Sequence, residues 1–318
     1  MNTEQTTKKQ SKTWSVIKFL LKLSVTSLAL YWVSTQVDFV QLWQALSTAN
    51  YFYLFLALIF YICSITVAAS RLYGYFKAID LPIGEYYNFK LYLLGLFYNL
   101  FLPGGIGGDG YKFFFLRKKF GIKSKPLFSA ILFDRVSGLW ALALITSALI
   151  IFIPQLAIPN WVPAMVVIVG TLIYYIVLKR FFTPFIKGFW LSHTKAVIAW
   201  SFQIITVIML LYGLDFEGKF APYLFSFLLS SLVAVLPISV AGGLGLREFA
   251  NVQGATFFNL DTHLALLLSL FFYMTAALVA LSGIYFIFRP QALGEHRLPN
   301  KKEVEQILQE KEQTETNQ

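Results

Sequence analysis

The chain has 318 residues, of which 57% are hydrophobic, 18% are aromatic and only 13% are charged. A typical soluble domain has about 25% charged residues, and a soluble fold of this size cannot remove so much apolar surface from water. The composition therefore excludes an ordinary soluble enzyme and a disordered chain, and it predicts a protein that lies mostly within a lipid bilayer.

Charge-poor windows divide the chain into eight predicted membrane segments, because a helix needs about 20 mostly apolar residues to cross a bilayer. In chain order the segments cover residues 15–34, 51–70, 91–108, 127–153, 161–178, 196–214, 220–246 and 264–288. They predict one all-α integral membrane domain over residues 1–290, with halves at 15–153 and 161–289. Residues 291–318 are polar and are expected to form a cytoplasmic tail.

The net charge of +10 comes from basic residues that are clustered along the chain. Residues 1–22, 71–90, 109–135, 179–195 and 289–318 hold 24 of the 26 lysines and arginines. Since basic residues favour the cytoplasmic side of a membrane, we expect these regions and both termini to lie there. If all eight segments crossed the membrane fully, these basic regions and both termini could not all lie on the cytoplasmic side. The third and seventh segments must each enter and leave on one side, which predicts six full crossings and two re-entrant segments.

The basic regions are expected to contact the anionic headgroups of the cell membrane rather than nucleic acid, because they flank membrane segments. The stretch assigned to this role contains Lys112, Arg117, Lys118, Lys119, Lys123 and Lys125. The three histidines, His193, His263 and His296, show no metal-ligand spacing. The sequence predicts neither a metal site nor a cofactor.

The two re-entrant segments contain similar backbone breaks. The first break comprises Pro103, Gly104, Gly105, Gly107 and Gly108 and is followed by Asp109; the second comprises Pro237, Gly242, Gly243 and Gly245 and is followed by Arg247 and Glu248. Each break falls in the third segment of a set of four, and the two sets begin on opposite sides, which is the pattern of an inverted repeat. Proline ends a helical hydrogen-bond ladder and glycine permits close approach. The paired breaks therefore predict a functional cavity, with simple kinks and tight packing as the alternative.

The two motifs resemble those of the lysylphosphatidylglycerol synthetase transmembrane-region family, a flippase-like family. The resemblance rests on Asn99 with the first motif, on the second motif, and on the polar residues Arg71 and Asp134-Arg135, and it extends over about residues 15–290. It implies an all-helical membrane domain, which in the best-known members moves an aminoacylated phospholipid between leaflets. Those members also have a soluble aminoacyl-transferase domain. We expect none here, so lysyl transfer is not predicted.

One detail departs from the family pattern. A basic residue often follows shortly after the acidic position in the first motif, whereas Gly110 and Tyr111 separate Asp109 from Lys112 here. The charge partner of Asp109 is therefore not defined by the resemblance.

The candidate site consists of the ionisable residues in or beside the membrane segments together with one asparagine. These residues are Arg71, Asn99, Asp109, Lys112, Asp134, Arg135, Arg247 and Glu248. The charges can form ion pairs that hold helices in register, or they can bind a ligand, and the two roles can coexist. Neighbours on a helix do not face each other, so Asp134 and Arg135 are expected to have different partners. We hypothesise that Asp109 or Asp134 pairs with one of the arginines.

A lipid substrate would suit some of these residues particularly well. Arg135 and Arg247 are the predicted phosphate partners, because a guanidinium group binds phosphate oxygens in a fork. Asn99 offers a neutral hydrogen bond to a substrate or, alternatively, a polar contact between helices.

We expect a flippase-like protein that translocates a phospholipid or a lipid-linked polar headgroup, rather than an enzyme. The alternative is a membrane-embedded accessory or transferase subunit that acts on a lipid-linked substrate, with Asp109 or Glu248 as the general base. A third, weaker interpretation is a structural partner of an enzyme of lipid or glycolipid synthesis.

Overall fold

The structure is a computed structural model that describes residues 39–101, 107–159, 161–234, 246–289 and Leu293. Within these residues the regular structure is helical and contains no strand. Apart from Phe39, the described residues belong to one compact unit that begins at Val40. Helices are expected here, because a segment in lipid must satisfy its backbone hydrogen bonds internally.

Five helices of the described part of the chain are long and apolar enough to cross a membrane. They are α2 (Tyr51–Lys77), α5 (Ser124–Ile150), α6 (Trp161–Phe181), α7 (Phe189–Gly213) and the stretch Thr262–Phe288, which comprises α10 (Thr262–Leu281) and α11 (Ile284–Phe288). They correspond to the second, fourth, fifth, sixth and eighth predicted segments. The all-helical membrane fold is therefore confirmed, whereas the predicted first segment lies outside the described residues.

The remaining helices are shorter. They are α1 (Phe39–Thr48), α3 (Glu85–Phe101), α4 (Gly107–Phe120), α8 (Phe220–Ala234) and α9 (Leu246–Phe257). Helices α3 and α8 begin the third and seventh predicted segments, and they contain 17 and 15 residues. At about 1.5 Å per residue, each is shorter than the hydrocarbon layer of about 30 Å.

Helices α2 and α7 pack side by side and run antiparallel. At one end the Asn50 amide donates to the Gly213 carbonyl oxygen over 2.9 Å. Towards the other end the Lys195 ammonium group donates to the Ser70 hydroxyl over 2.9 Å. The C-terminal ends of the two helices therefore lie at opposite ends of the pair.

Helices α3 and α4 form a hairpin whose open end lies near the C-terminal end of α2. The Lys119 ammonium group of α4 lies 5.3 Å from the ring centroid of Tyr87, which is in the first turn of α3. The Ser70 hydroxyl donates to the Glu85 carboxylate over 2.6 Å, which connects α2 to the start of α3. The chain thus leaves α4 at the same end at which it entered α3.

Helices α8 and α9 form a second hairpin, at the C-terminal end of α7. The rings of Tyr212 in α7 and Phe220 in α8 are 5.1 Å apart. Phe225 lies in the second turn of α8, and Phe258 directly follows the end of α9. The rings of these two residues are 5.8 Å apart. The open ends of the two hairpins therefore lie at opposite ends of the α2–α7 pair.

A core of buried apolar side chains fixes the first hairpin against α2 and α5. Its fully buried members include Leu72 of α2, Leu91 and Leu94 of α3, Leu116 of α4 and Leu127 of α5. Lipid is as apolar as leucine, so close packing rather than removal from water holds such helices together. This packing positions the charged residues at the inner end of the hairpin.

Candidate functional site

A cavity of about 300 Å³ lies between the two hairpins and the long helices. Helices α2, α3, α4, α5, α7, α8, α9 and α10 all contribute to its wall. The ionisable lysine, arginine and aspartate side chains that line it among the described residues are Arg71, Asp109, Lys112, Asp134, Arg135 and Arg247. Most of the predicted site residues therefore come together, although they lie far apart in the sequence.

The first charged group in the cavity is the ion pair between Arg71 of α2 and Asp134 of α5. Arg71 Nε donates to Asp134 Oδ1 over 2.8 Å, and a terminal nitrogen of the same guanidinium donates to Oδ2 over 3.2 Å. The two residues are only 7% and 8% exposed. Gly138 lies one turn after Asp134, and a Cβ atom there would be 3.3 Å from the Arg71 guanidinium. The missing side chain gives the guanidinium room to form its two-point contact.

The second charged group is a triad centred on Asp109 of α4. The Lys112 ammonium group lies 2.7 Å from Asp109 Oδ1, and Arg135 Nε contacts Oδ2 of the same carboxylate. The Lys112 ammonium group also lies 4.8 Å from the ring centroid of Tyr92. Two cations at hydrogen-bond distance stabilise the ionised carboxylate. Asp109 is therefore poorly suited to the role of general base that the transferase alternative gives it.

These contacts bear out the hypothesis that Asp109 or Asp134 pairs with one of the arginines, since both do, and the expectation that Asp134 and Arg135 have different partners. They also correct the assignment of Lys112 to the headgroup-binding stretch, because Lys112 is only 4% exposed and is paired with Asp109. The other members of that stretch are exposed, namely Arg117, Lys118, Lys119, Lys123 and Lys125. The spacing of three residues puts Lys112 one helical turn after Asp109, on the same face.

Asn99 connects the two helices of the first hairpin. Its side-chain oxygen accepts a hydrogen bond of 2.7 Å from the Gly108 amide, and the residue also lines the cavity. Gly108 packs so closely on the other helix that a Cβ atom would overlap the carbonyl oxygen of Gly95. Of the two alternatives for Asn99, this hydrogen bond is the polar contact between helices. It holds the inner end of the hairpin closed.

Arg247 in the first turn of α9 has a different environment from the other arginines. Its guanidinium carbon lies 5.7 Å from the ring centroid of Phe227 and 5.1 Å from that of Phe272. Its Nε atom is buried and has no hydrogen-bond partner within the described ranges. Glu248, the next residue, is not among the residues that line the cavity.

The structure describes only part of the two backbone breaks. Gly107 and Gly108 form the start of α4. The other predicted break residues lie outside the described residues, namely Pro103, Gly104, Gly105, Pro237, Gly242, Gly243 and Gly245. No group of three His, Cys, Asp or Glu side chains that could hold a metal ion occurs in the part of the chain that is described.

Several uncharged polar residues of the cavity wall were not predicted from the sequence. They are Tyr61, Tyr92, Trp200, Gln203, Ser231 and Tyr273. Trp200 donates from its indole nitrogen to the Gly138 carbonyl oxygen over 3.0 Å, which connects α7 to α5 at the wall of the cavity. A glutamine inside the apolar helix α7 is the one signal that could have indicated an inward-facing position, since polar groups in a membrane face the protein interior.

Comparison with known proteins agrees with the sequence motifs. A family model described as "Lysylphosphatidylglycerol synthase TM region" matches residues 19–194, which is more than half of the chain. The matched range includes the Arg71–Asp134 pair and the Asp109 triad, whereas Arg247 lies beyond it. A search of curated proteins found no match.

Proposed function

Because this chain belongs to the lysylphosphatidylglycerol synthase TM-region family, we propose that it moves a phospholipid or a lipid-linked polar headgroup between the leaflets of a membrane. The family and the five apolar helices indicate an integral membrane protein that acts on lipids. We also propose that the protein lies in the cell membrane with both termini in the cytoplasm.

The observation that carries the proposal is the charged cavity among membrane-spanning helices. Ionisable side chains within a membrane are costly and usually mark a substrate or ion pathway. Here six lysine, arginine and aspartate side chains of the described residues line one space of about 300 Å³, which is at the lower end of the range for ligand pockets. Such a space can shield a polar headgroup while the acyl chains remain in the lipid.

We further propose that the two hairpins are re-entrant segments of an inverted repeat. Three observations support this arrangement. Helices α2 and α7 are antiparallel, and the open ends of the hairpins lie at opposite ends of this pair. In addition, α3 of the first hairpin contacts α10, and α8 of the second contacts α5, so that each hairpin packs on the last long helix of the other half. Rocking of one half against the other would then expose the cavity to each leaflet in turn.

Single cysteines introduced at exposed positions test the re-entrant arrangement, in a Cys63→Ser background. Lys77→Cys and Lys118→Cys flank the first hairpin, and Glu217→Cys and Asn259→Cys flank the second. We expect a membrane-impermeant maleimide to label the first two positions from one side of sealed vesicles and the last two from the other side. Labelling of Lys77→Cys and Lys118→Cys from opposite sides would show that the first hairpin crosses the membrane.

Reconstitution tests translocation directly. Purified protein in liposomes that contain a fluorescent phospholipid should accelerate the exchange of that lipid between leaflets, measured by quenching of the outer leaflet. Asp109→Asn should slow the exchange, because it leaves the buried Lys112 and the partly buried Arg135 without a full counter-charge. Lys118→Gln, an exposed change on the same helix, is the matched control. Exchange no faster than in protein-free liposomes, over several headgroups, would refute the proposal.

A further inference from the structure

We infer that the translocated headgroup has a net negative charge and that Arg247 binds its phosphate. This inference rests on the proposed function and adds the class of substrate to it. It also separates Arg247 from Arg135, which the sequence treats as equivalent phosphate partners.

The charges that line the cavity do not balance. Four cations, Arg71, Lys112, Arg135 and Arg247, face two carboxylates, Asp109 and Asp134. The described side chains that line the wall therefore have an excess of two positive charges. The excess falls to one when Glu248 is counted, because its carboxylate interacts electrostatically with Arg247 although it does not line the cavity. The sequences of the two internal gaps, residues 102–106 and 235–245, contain no ionisable side chain. Uncompensated positive charge in a membrane interior is unfavourable, and an anionic ligand would compensate it.

Arg247 is the arginine of the cavity that is best placed to receive that ligand. Arg71 is bound to Asp134 by two hydrogen bonds, and Arg135 contacts Asp109. Arg247 forms no salt bridge with an acidic side chain of the described residues, although the carboxylate of its neighbour Glu248 interacts with it electrostatically. The first half of the chain therefore contributes the neutral Arg71–Asp134 pair and the partly neutralised Asp109 triad to the cavity. The second half contributes Arg247.

The surroundings of Arg247 favour a phosphate group, which accepts two hydrogen bonds from a guanidinium, over a single carbonyl oxygen. The rings of Phe227 and Phe272 contact the guanidinium at 5.7 and 5.1 Å, and such ring contacts position a guanidinium while its N–H groups stay free to donate. Its buried Nε–H lacks an acceptor in the described part of the protein, and a buried donor without an acceptor is unfavourable. Phosphate oxygens can accept from Nε–H and a terminal N–H together in a fork.

The same wall disfavours a headgroup with an additional ammonium group. An aminoacylated or aminoalkyl headgroup would need a carboxylate for its ammonium group. Both carboxylates that line the described wall already accept from cations at hydrogen-bond distance. A further positive charge would add to the excess rather than reduce it.

Headgroup selectivity of the unmodified protein is the first test. Proteoliposomes of phosphatidylcholine would each contain one fluorescent tracer: phosphatidylglycerol with one net negative charge, phosphatidylethanolamine with none, or lysyl-phosphatidylglycerol with one net positive charge. We expect the fastest exchange for phosphatidylglycerol and the slowest for the lysyl form. Equal exchange of all three, or the reverse order, would overturn the inference while translocation itself stands. Exchange of none of them would refute the proposed function.

Substitution of Arg247 is the second test. Arg247→Gln should slow phosphatidylglycerol exchange at subsaturating lipid by about tenfold or more, the value of a hydrogen bond to a charged group. It should reduce the preference over phosphatidylethanolamine, and Arg247→Lys should retain part of that preference. Lys219→Gln, an exposed basic residue that precedes α8 and lies outside the basic regions, is the matched control. An unchanged preference in folded Arg247→Gln would overturn the inference, and if that variant does not fold, Arg247→Lys and the selectivity of the unmodified protein decide.

Discussion

The ion pair between Arg71 and Asp134 gives the sharpest prediction about stability. Replacing Asp134 by leucine keeps the number and branching of the side-chain heavy atoms but leaves the Arg71 guanidinium buried without its carboxylate. In the structure both hydrogen bonds of this guanidinium to a carboxylate go to Asp134. Asp134→Leu therefore removes the whole contact in one step.

The expected cost follows from the burial of the pair. Removing one partner of a buried pair typically costs about 3–5 kcal/mol, because the other charge remains uncompensated. The cavity beside the pair can admit water, so we expect a value near the lower limit, about 3 kcal/mol. Replacing both partners by apolar residues of similar volume is often neutral or stabilising. The double variant Arg71→Met, Asp134→Leu should therefore be more stable than Asp134→Leu alone.

Unfolding of the purified protein by a denaturing detergent, followed by circular dichroism, measures these differences. Lys118→Met is the control for loss of an exposed charge, and it should change the free energy of unfolding by no more than about 0.5 kcal/mol. Two results would contradict the reasoning. One is an Asp134→Leu protein as stable as the control, and the other is a double variant no more stable than the single one.

Two further predictions concern the first hairpin. Gly108→Ala should lower the stability and the yield of folded protein, because the new Cβ atom would overlap the Gly95 carbonyl oxygen. Gly110→Ala should be neutral or up to about 1 kcal/mol stabilising, because nothing lies within 4 Å of its Cβ position. Thermal unfolding of both variants in detergent measures the difference, and equal effects would contradict the close contact at Gly108. An amine-reactive reagent should modify the exposed Lys118 readily and the buried Lys112 slowly in the folded protein, as peptide mass spectrometry would show; equal modification would contradict the buried triad.

Hydropathy was sufficient to predict the long helices, but not where they begin. Helix α7 begins at Phe189, whereas the predicted segment begins at residue 196. The difference arises from His193 and Lys195, whose polarity ended the apolar window. Both face the protein: the ring of His193 lies 4.7 Å from that of Trp140 in α5, and Lys195 donates to Ser70 in α2. A polar residue that packs on a neighbouring helix cannot be recognised from the hydropathy of its own helix.

The pairing of charges was predictable only where it depends on local geometry. Asp134 and Arg135 are adjacent on a helix and so had to face different partners. The spacing of Asp109 and Lys112 also predicts a contact, yet Lys112 begins a basic run that is typical of a membrane surface. The structure separates Lys112 from the rest of the run because the hairpin buries the first turns of α4 and leaves the last turn exposed.

Arg247 shows why the remaining part of the site needed a structure. By residue type and by its place after a Pro-Gly break, it is as suitable a phosphate partner as Arg135, and no local rule ranks the two. The ranking depends on a carboxylate that lies 26 positions from Arg135 in the sequence and reaches it through the fold of the first hairpin. An arginine can bind a substrate phosphate only to the extent that the protein has not already supplied its acceptor. In a cavity of this kind, the arginine that specifies the ligand is therefore identified by the carboxylates that face the other arginines.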